Sequence, residues 1–348
     1  MVTYTFSTQS IYVAETIRYG WGFMKRRVVK HGSSTLTISL PSKWVKRFAV
    51  KPGDELDISD ERGNLIIRTN KDVECVQNAR INMHDFGIIA GRSLTALYKA
   101  GCDCIRIDYG KPDQIPKVDL IVPQLIGFEI MHQDDKGCLI KEISHPVHNV
   151  DLDEMIKRTF LLLLSISKDF VDNIHKNDRN VLQNIMNRDA SINKFTNFCR
   201  RAIIKKGLAH IKEAPMLYYI VEELENLGDE YKYFAKYLLD NDISIKNKDV
   251  LRLLGSVHDL LNSYFLLYFK FNIDHANKVA KQGKEIIKEI NTTLTVHDPR
   301  DQHALEYLSR MASVLIKSLS PLLTLKIPDI CTDGYVGTSD VNRLDVKD

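Results

Sequence analysis

The chain has 348 residues, 44% of them hydrophobic and 27% charged, with a formal net charge of +3 at pH 7. That is an ordinary profile for a soluble globular protein of two or three domains, and so small a net charge identifies no partner class. The six cysteines (Cys75, Cys102, Cys104, Cys138, Cys199, Cys331) are scattered without a Cys-x-x-Cys pair, so neither a disulfide framework nor a zinc site is indicated, and a reducing cytoplasm fits. The longest apolar run, Phe160 to Leu164, falls far short of the ~20 residues needed to cross a bilayer, so no membrane insertion is expected.

Residues 1–23 lack the basic start and continuous apolar run of a secretory signal. They are read as an extension without structural role, with Met24 as the natural start. From Met24 to Thr69 the pattern is dense with signals. Leu36, Ile38 and Leu40 alternate with Thr35, Thr37 and Ser39, the period of a half-buried strand. Pro41 ends that strand and suits the first position of a helix, so Ser42 to Phe48 is read as two turns with Trp44, Val45 and Phe48 inward. Lys51-Pro52-Gly53-Asp54 is a turn, and Leu56 with Ile58, then Leu65 to Ile67, flank Arg62-Gly63-Asn64 as a hairpin. A unit this small, with about a dozen apolar side chains, rarely stands alone, and an obligate homodimer is inferred.

Its charges are unevenly placed. Lys25, Arg26, Arg27 and Lys30 fall on the expected first strand and Lys43, Lys46 and Arg47 on the helix, while Asp54, Glu55, Asp57, Asp60 and Glu61 follow. One positive face, doubled by dimerisation, is the footprint of double-stranded DNA binding through phosphate contacts; the plainer reading of such a run is a solvated surface. The run Gly32-Ser33-x-x-Leu36-x-Ile38-Ser39-Leu40-Pro41, then Trp44-Val45 and Val50 to Leu56, resembles the SpoVT/AbrB DNA-binding family. The resemblance covers residues 24–70 and implies a dimeric swapped-hairpin β-barrel.

Residues 71–148 are read as a small α/β connector. Ile88, Ile89, Leu94, Leu97 and Tyr98 mark a helix capped at Ala100-Gly101, and the strand Cys104 to Ile107 follows. A helix is expected around Leu120 to Leu125, interrupted by Pro123; Phe128 to Met131 and Cys138 to Ile143 then pair across Asp134 to Gly137 as a hairpin. Cys102 and Cys104 on one strand would point to opposite faces, and so are read as buried or idle rather than as ligands. His145 and His148 are read as linker.

From Asp151 the apolar spacing is helical, with polar breaks near Asn177-Asp178, Gly207, Asp240-Asn241-Asp242, Asn272 and Asp298-Pro299. Six helices in two three-helix repeats, 151–242 and 246–326, are expected to stack as one all-α bundle, with 327–348 a flexible tail. The first helix carries Leu152, Met155, Ile156, Leu163, Ile166, Phe170 and Ile174; the second Val181, Leu182, Ile185, Ile192, Cys199 and Ile203; the third Leu217, Ile220, Val221, Leu224, Tyr231 and Leu238. Leu224-Glu225-Asn226-Leu227-Gly228-Asp229-Glu230 resembles the Leu-Glu-x-x-Gly-Asp region of the PhoU phosphate-regulation family. That resemblance runs from about Asp151 to Leu325, and its pairing with an AbrB-like front end is distinctive of archaeal phosphate-uptake regulators.

Two features of the first repeat invite chemistry. Glu225 and Asp229 lie one turn apart, a like-charge pair that a cation would relieve. Asp189 falls inside an apolar stripe with Asn193 one turn on, and a lone buried carboxylate is costly unless paired or coordinated. Such oxygens suit iron, manganese or magnesium, and the PhoU resemblance implies a divalent or trivalent metal at Glu225, Asp229 and Asp189. The competing reading gives Lys232 and Lys236 the task of neutralising the pair and has Asp189 bond a neighbouring helix. In the second repeat Glu306 and Arg310 are read as an exposed ion pair, with Glu285 facing away from the apolar side. No phosphate loop, His-x-x-x-His or nucleophile with its base can be assigned, so no enzymatic activity is expected.

Together these readings describe a multidomain α+β, cytoplasmic, dimeric transcriptional regulator linked to phosphate homeostasis, in contact with a phosphate ABC transporter or signalling protein. One alternative is an accessory protein that regulates a phosphate transporter by direct contact, its front end serving only to dimerise. The other is a metal-dependent hydrolase, for which no base can be named.

Overall fold

The computed structural model describes residues 25–32, 35–61, 64–69, 78–110, 115–143, 152–176, 178–206, 213–295 and 298–331. The readings of residues 1–23, of Met24 as the start, of Arg62-Gly63 in the hairpin, of His145 and His148, of the Gly207 break and of the tail beyond Cys331 lie outside them. The chain divides into two units between Arg80 and Ile81.

In the first unit, β1 (Val29–His31) pairs antiparallel with β2 (Thr35–Thr37), Val29 opposite Thr37. Gly32 at the turn has φ +74°, which a side chain would resist. The strand expected through Leu40 stops at Thr37, and Lys25 to Arg27 precede β1; of those four cations only Lys30 lies on it. α1 (Ser42–Arg47) follows Pro41, whose extended backbone (φ −62°, ψ 125°) starts the helix and whose carbonyl accepts from Val45 N at 2.9 Å. The Trp44 and Phe48 rings lie 5.3 Å apart. In the Lys51 to Asp54 turn, Asp54 N donates to Lys51 O at 3.1 Å, Asp54 Oδ2 accepts from Lys51 N at 2.6 Å, and Gly53 takes φ +92°. β3 (Asp57–Glu61) and β4 (Asn64–Arg68) pair antiparallel, Ile58 opposite Ile67. Each hairpin is its own two-stranded sheet among the described residues.

A four-stranded sheet, whose first strand crosses the division at Arg80, is followed by a helical bundle. The sheet has the order β5-β6-β8-β7, from β5 (Asn78–Asn82), β6 (Cys104–Asp108), β7 (Phe128–Gln133) and β8 (Gly137–Glu142). β8 is antiparallel to both neighbours, with Ile105 opposite Ile140 and Ile107 opposite Cys138. Alternation turns Ile105, Ile107, Cys138, Ile140 and Glu142 to the buried face. Cys102 is buried ahead of β6, and Cys104 is half-buried on it.

α2 (Met83–Phe86) and a 3-10 turn (Gly87–Ile89) lead into α3 (Ala90–Lys99), which buries Ala90, Leu94 and Tyr98. Gly101 follows with φ +94°, the left-handed stop expected there. Ile88 and Ile89, expected in the helix face, instead sit in the 3-10 turn, Ile88 wholly exposed at 102%. The next helix, α4 (Ile115–Ile121), lies earlier than expected: Pro123 falls in a 3-10 turn (Val122–Gln124) because it cannot donate to an α-helical carbonyl.

The bundle comprises α5 (Leu152–Asn173), α6 (Arg179–Lys206), α7 (Ala214–Asp240), α8 (Lys248–Phe269), α9 (Ile273–Thr293), α10 (Pro299–Lys317) and α11 (Leu319–Cys331). The breaks at Asp240 to Asp242, Asn272 and Asp298 coincide with helix ends; Asn272 and Asp298 cap α9 and α10 through their side chains. The expected final helix is two, because Pro321 has no N–H for the carbonyl four residues back; Tyr264 OH donates to Ser318 O at 3.0 Å there. α11 continues through Cys331, past the boundary set at residue 326.

One apolar core runs through all seven helices, and the stripes read for the first three supply the share of α5, α6 and α7. Phe160 packs against Tyr264, Phe265, Tyr268 and Phe269, while Phe234 stacks on Tyr307 with centroids 4.7 Å apart. Among the described residues no helix is long and apolar enough to cross a membrane.

Candidate functional site

Front-end cations. Lys25, Arg26, Arg27, Lys30, Lys43 and Lys46 are all exposed; the side chain of Arg47 lies outside the described residues. The apolar residues of the same hairpins are exposed too: Leu36 is 69%, Leu65 71% and Ile58 64% accessible. Val28, Val29 and Ile38 also remain more than half open. A hairpin that pairs through β1 and β2 but buries neither face has no core of its own, and covering such a side chain is worth about 1.5–3 kcal/mol.

Charged seam of the bundle. Asp189, Asn193, Thr196 and Arg200 recur at helical spacing along α6, and Glu222, Glu225, Asp229 and Lys232 do so along α7. The two stripes face each other, as expected for Asp189, which is only 6% exposed. Gly228 allows the approach: a Cβ there would meet Ile192 Cδ1 at 2.8 Å. The three carboxylates expected to share a metal are divided between two cations, and Asn193 bonds one of them. Lys232 Nζ donates to Asp189 Oδ2 at 2.9 Å and to Asp229 Oδ1, and Asn193 Nδ2 donates to Asp189 Oδ2 at 3.1 Å. Glu225 is turned to Arg200, with which it forms an ion pair, and accepts from Thr196 Oγ1 at 2.7 Å. Arg200, fully buried, also pairs with Glu222.

Burial pushes the Asp189 carboxyl up from the usual range, and its bonds to Lys232 and Asn193 oppose that shift without cancelling it. Burial works against the Lys232 charge as well, but its bonds to Asp229 and Asp189 outweigh it and hold the ammonium above its usual range. Among the described residues no donor reaches Asp189 Oδ1 or Asn193 Oδ1, both buried. As arranged, the set does not fit a metal ion, because an ammonium occupies the space between the two aspartates. Among the described residues no group of three or more His, Cys, Asp or Glu side chains could hold one. Lys236, expected to share the neutralisation, pairs with Asp240 at 2.7 Å.

A second cluster ties α6 to the sheet. Arg201, fully buried, donates to Tyr98 O at 2.9 Å, Cys102 O at 2.8 Å, Asp103 Oδ1 at 2.6 Å and Glu142 Oε2 at 2.9 Å. Its guanidinium carbon lies 5.0 Å from the Tyr98 ring centroid and 4.9 Å from that of Phe128. Lys205 Nζ reaches the same two carboxylates at 2.5 and 3.1 Å, so two cations meet two anions.

Sequence reasoning missed both buried arginines. One signal was present: Glu142 occupies the third inward position after Cys138 and Ile140, where a carboxylate requires a cation. The expected Glu306–Arg310 pair is also replaced, since Arg310 Nε donates across helices to Glu230 at 2.8 Å while its guanidinium covers the Tyr307 ring at 4.3 Å. Glu285 faces Lys281 at 3.9 Å on the exposed side.

Residues 29–74 match the family described as antidote-toxin recognition MazE, bacterial antitoxin. No curated protein matches the chain. Among solved structures, the chain is similar to the phosphate transport system regulatory protein PhoU from Streptococcus pneumoniae. That pair is 15% identical, with 52% of this chain and 95% of the other covered and a TM-score of 0.44. PhoU from Pseudomonas aeruginosa is 19% identical, with 50% and 95% covered and a TM-score of 0.42. Similarity to the antitoxin family thus spans the front end from β1 through β4.

Proposed function

We propose that the protein is a dimeric DNA-binding regulator in which the front hairpins of two copies interleave and direct Lys25, Arg26, Arg27, Lys30, Lys43 and Lys46 at the phosphates of a duplex. The observation that carries this reading is the coincidence, in one small unit, of uncovered apolar strands with uncovered cations. A second copy answers the first by covering Leu36, Ile38, Ile58 and Leu65, and it doubles the second. The antitoxin-family match over residues 29–74 supports a dimeric recognition domain at this end. The link to phosphate rests on the sequence resemblance at Leu224 to Glu230. In this reading the bundle receives the phosphate signal or a partner, and the protein is a binding protein rather than an enzyme.

The test is fluorescence anisotropy on a mixed-sequence duplex across a salt series. Binding dominated by phosphate contacts gives a linear fall of log K with log salt, with a slope of about −0.9 per contact. Arg26→Ala/Arg27→Ala/Lys30→Ala is expected to flatten that slope by roughly 2–3 and to leave the dimer intact. Affinity that ignores salt, or is unchanged in the triple variant, removes DNA binding from the front end. Phosphate-responsive behaviour that survives in the triple variant would then favour the accessory-protein alternative, in which the front end only dimerises.

A further inference from the structure

The seam between α6 and α7 supplies the oxygens of a cation site, yet the chain has put its own cation there. Lys232 Nζ bridges Asp189 Oδ2 at 2.9 Å and Asp229 Oδ1 across the two helices. An ammonium makes contacts of about 2.7–2.9 Å to carboxylates, and a hard divalent ion sits at about 2.0–2.6 Å from oxygen. Both need the same space between the same two carboxylates. Only one can occupy it.

Two further observations describe the place Lys232 fills. Asp189 Oδ1 and Asn193 Oδ1 are buried and meet no donor among the described residues, so the site holds more acceptor capacity than Lys232 and the Asn193 amide satisfy. The charge count agrees: Asp189 and Asp229 bring two negative charges against the single positive charge of Lys232. The neighbouring charges are committed elsewhere. Glu225 pairs with Arg200, Lys236 with Asp240, and Arg188 with Asp169 at 2.5 Å. The Lys232 Nζ also lies 4.8 Å from the Tyr233 ring centroid.

We propose that Lys232 is a built-in replacement for a metal ion: its tethered ammonium holds α6 to α7 through Asp189 and Asp229, so the bundle folds without metal. Removing that ammonium uncovers a divalent-cation site formed by Asp189, Asn193 and Asp229. The donor set is all oxygen with two negative charges, which suits manganese or magnesium rather than a soft metal. A tethered cation differs from an exchangeable one in a practical way. It cannot be lost to a chelator, and it makes the α6–α7 contact independent of metal supply.

The experiment uses the full chain, with manganese as the probe. The parent protein is analysed for bound metal after purification and titrated with Mn2+ by electron paramagnetic resonance, and its melting temperature is read with and without EDTA. The expected result is no stoichiometric metal, no Mn2+ binding at the seam and no response to EDTA. Lys232→Met removes the charge at similar length. It is expected to bind one Mn2+ per chain and to gain several degrees in melting temperature when Mn2+ is added, because a ligand that binds only the native state stabilises it. Asp189→Asn/Lys232→Met is expected to lose that site.

Stoichiometric metal in the parent, destabilisation of the parent by EDTA, or a folded Lys232→Met chain that takes up no Mn2+ would each overturn the proposal. If Lys232→Met is unfolded as purified, recovery of its helical circular dichroism on adding Mn2+ supports the proposal. No recovery, together with no Mn2+ binding by Lys232→Gln, counts against it.

Discussion

Arg201 shows how much can rest on one side chain. A guanidinium has five N–H donors in a fixed fork; here its two terminal nitrogens meet the Tyr98 and Cys102 carbonyls, Asp103, and Glu142 on β8, while among the described residues buried Nε meets no acceptor. Removing one partner of such a buried network leaves the others charged and unsolvated, which costs about 3–5 kcal/mol. Arg201→Ala is therefore expected to lower the urea midpoint sharply without changing DNA affinity per folded dimer. Arg201→Lys should recover only part of the loss, since an ammonium cannot reproduce the fork or its placement between the Tyr98 and Phe128 rings. Equal stability of parent and Arg201→Ala would show that Lys205 alone neutralises Asp103 and Glu142.

At the scale of elements, periodicity was legible and its polar exceptions were not. Ile185, Ile192, Cys199 and Ile203 predict the buried stripe of α6, and all four are buried. Nothing in the sequence marked Arg200 and Arg201 beside them as buried, because one sequence does not reveal that Glu222 and Glu225 come from α7, Asp103 from the approach to β6 and Glu142 from β8. Helix ends were more accessible, since caps are local. Asp298 caps α10 by accepting from Arg300 N at 2.9 Å and from the Arg300 guanidinium, and those bonds hold its carboxyl at about 2, below its ordinary value of 3.8.

A folded pKa below the unfolded one means that the stabilisation is fully present above pH 3.8 and lost as pH falls through about 2. Asp298→Ala should accordingly melt earlier than the parent at neutral pH, with the gap closing between pH 4 and about 2. A constant gap across that range would show that the cap acts by shape rather than by charge.

For the whole molecule, the contrast between its two units is the main clue to how it works. The second unit buries an apolar core along seven helices and a sheet, whereas the front hairpins leave Leu36, Ile38, Ile58 and Leu65 open. Leu36→Asp/Ile38→Asp is expected to shift the protein from dimer to monomer in sedimentation velocity and to abolish duplex binding, while the helical circular dichroism of the bundle stays unchanged. A dimer that persists in this variant would place the self-association in the second unit.

By itself the sequence determined the local features. It set the left-handed glycines at Gly53 and Gly101, the helix breaks at Asn272 and Asp298, and the apolar stripes of α5, α6 and α7; every one depends on neighbours within a few positions. Tertiary structure decided which charges meet. It chose between the two readings of the acidic pair by putting Lys232 between Asp189 and Asp229, turned Glu225 to Arg200, took Arg310 across to Glu230 and fixed Arg201 under the sheet. The physical reason is range: backbone preference and hydrophobic period act along the chain, but a buried charge is satisfied by whichever opposite group the packing of distant elements brings within about 3 Å.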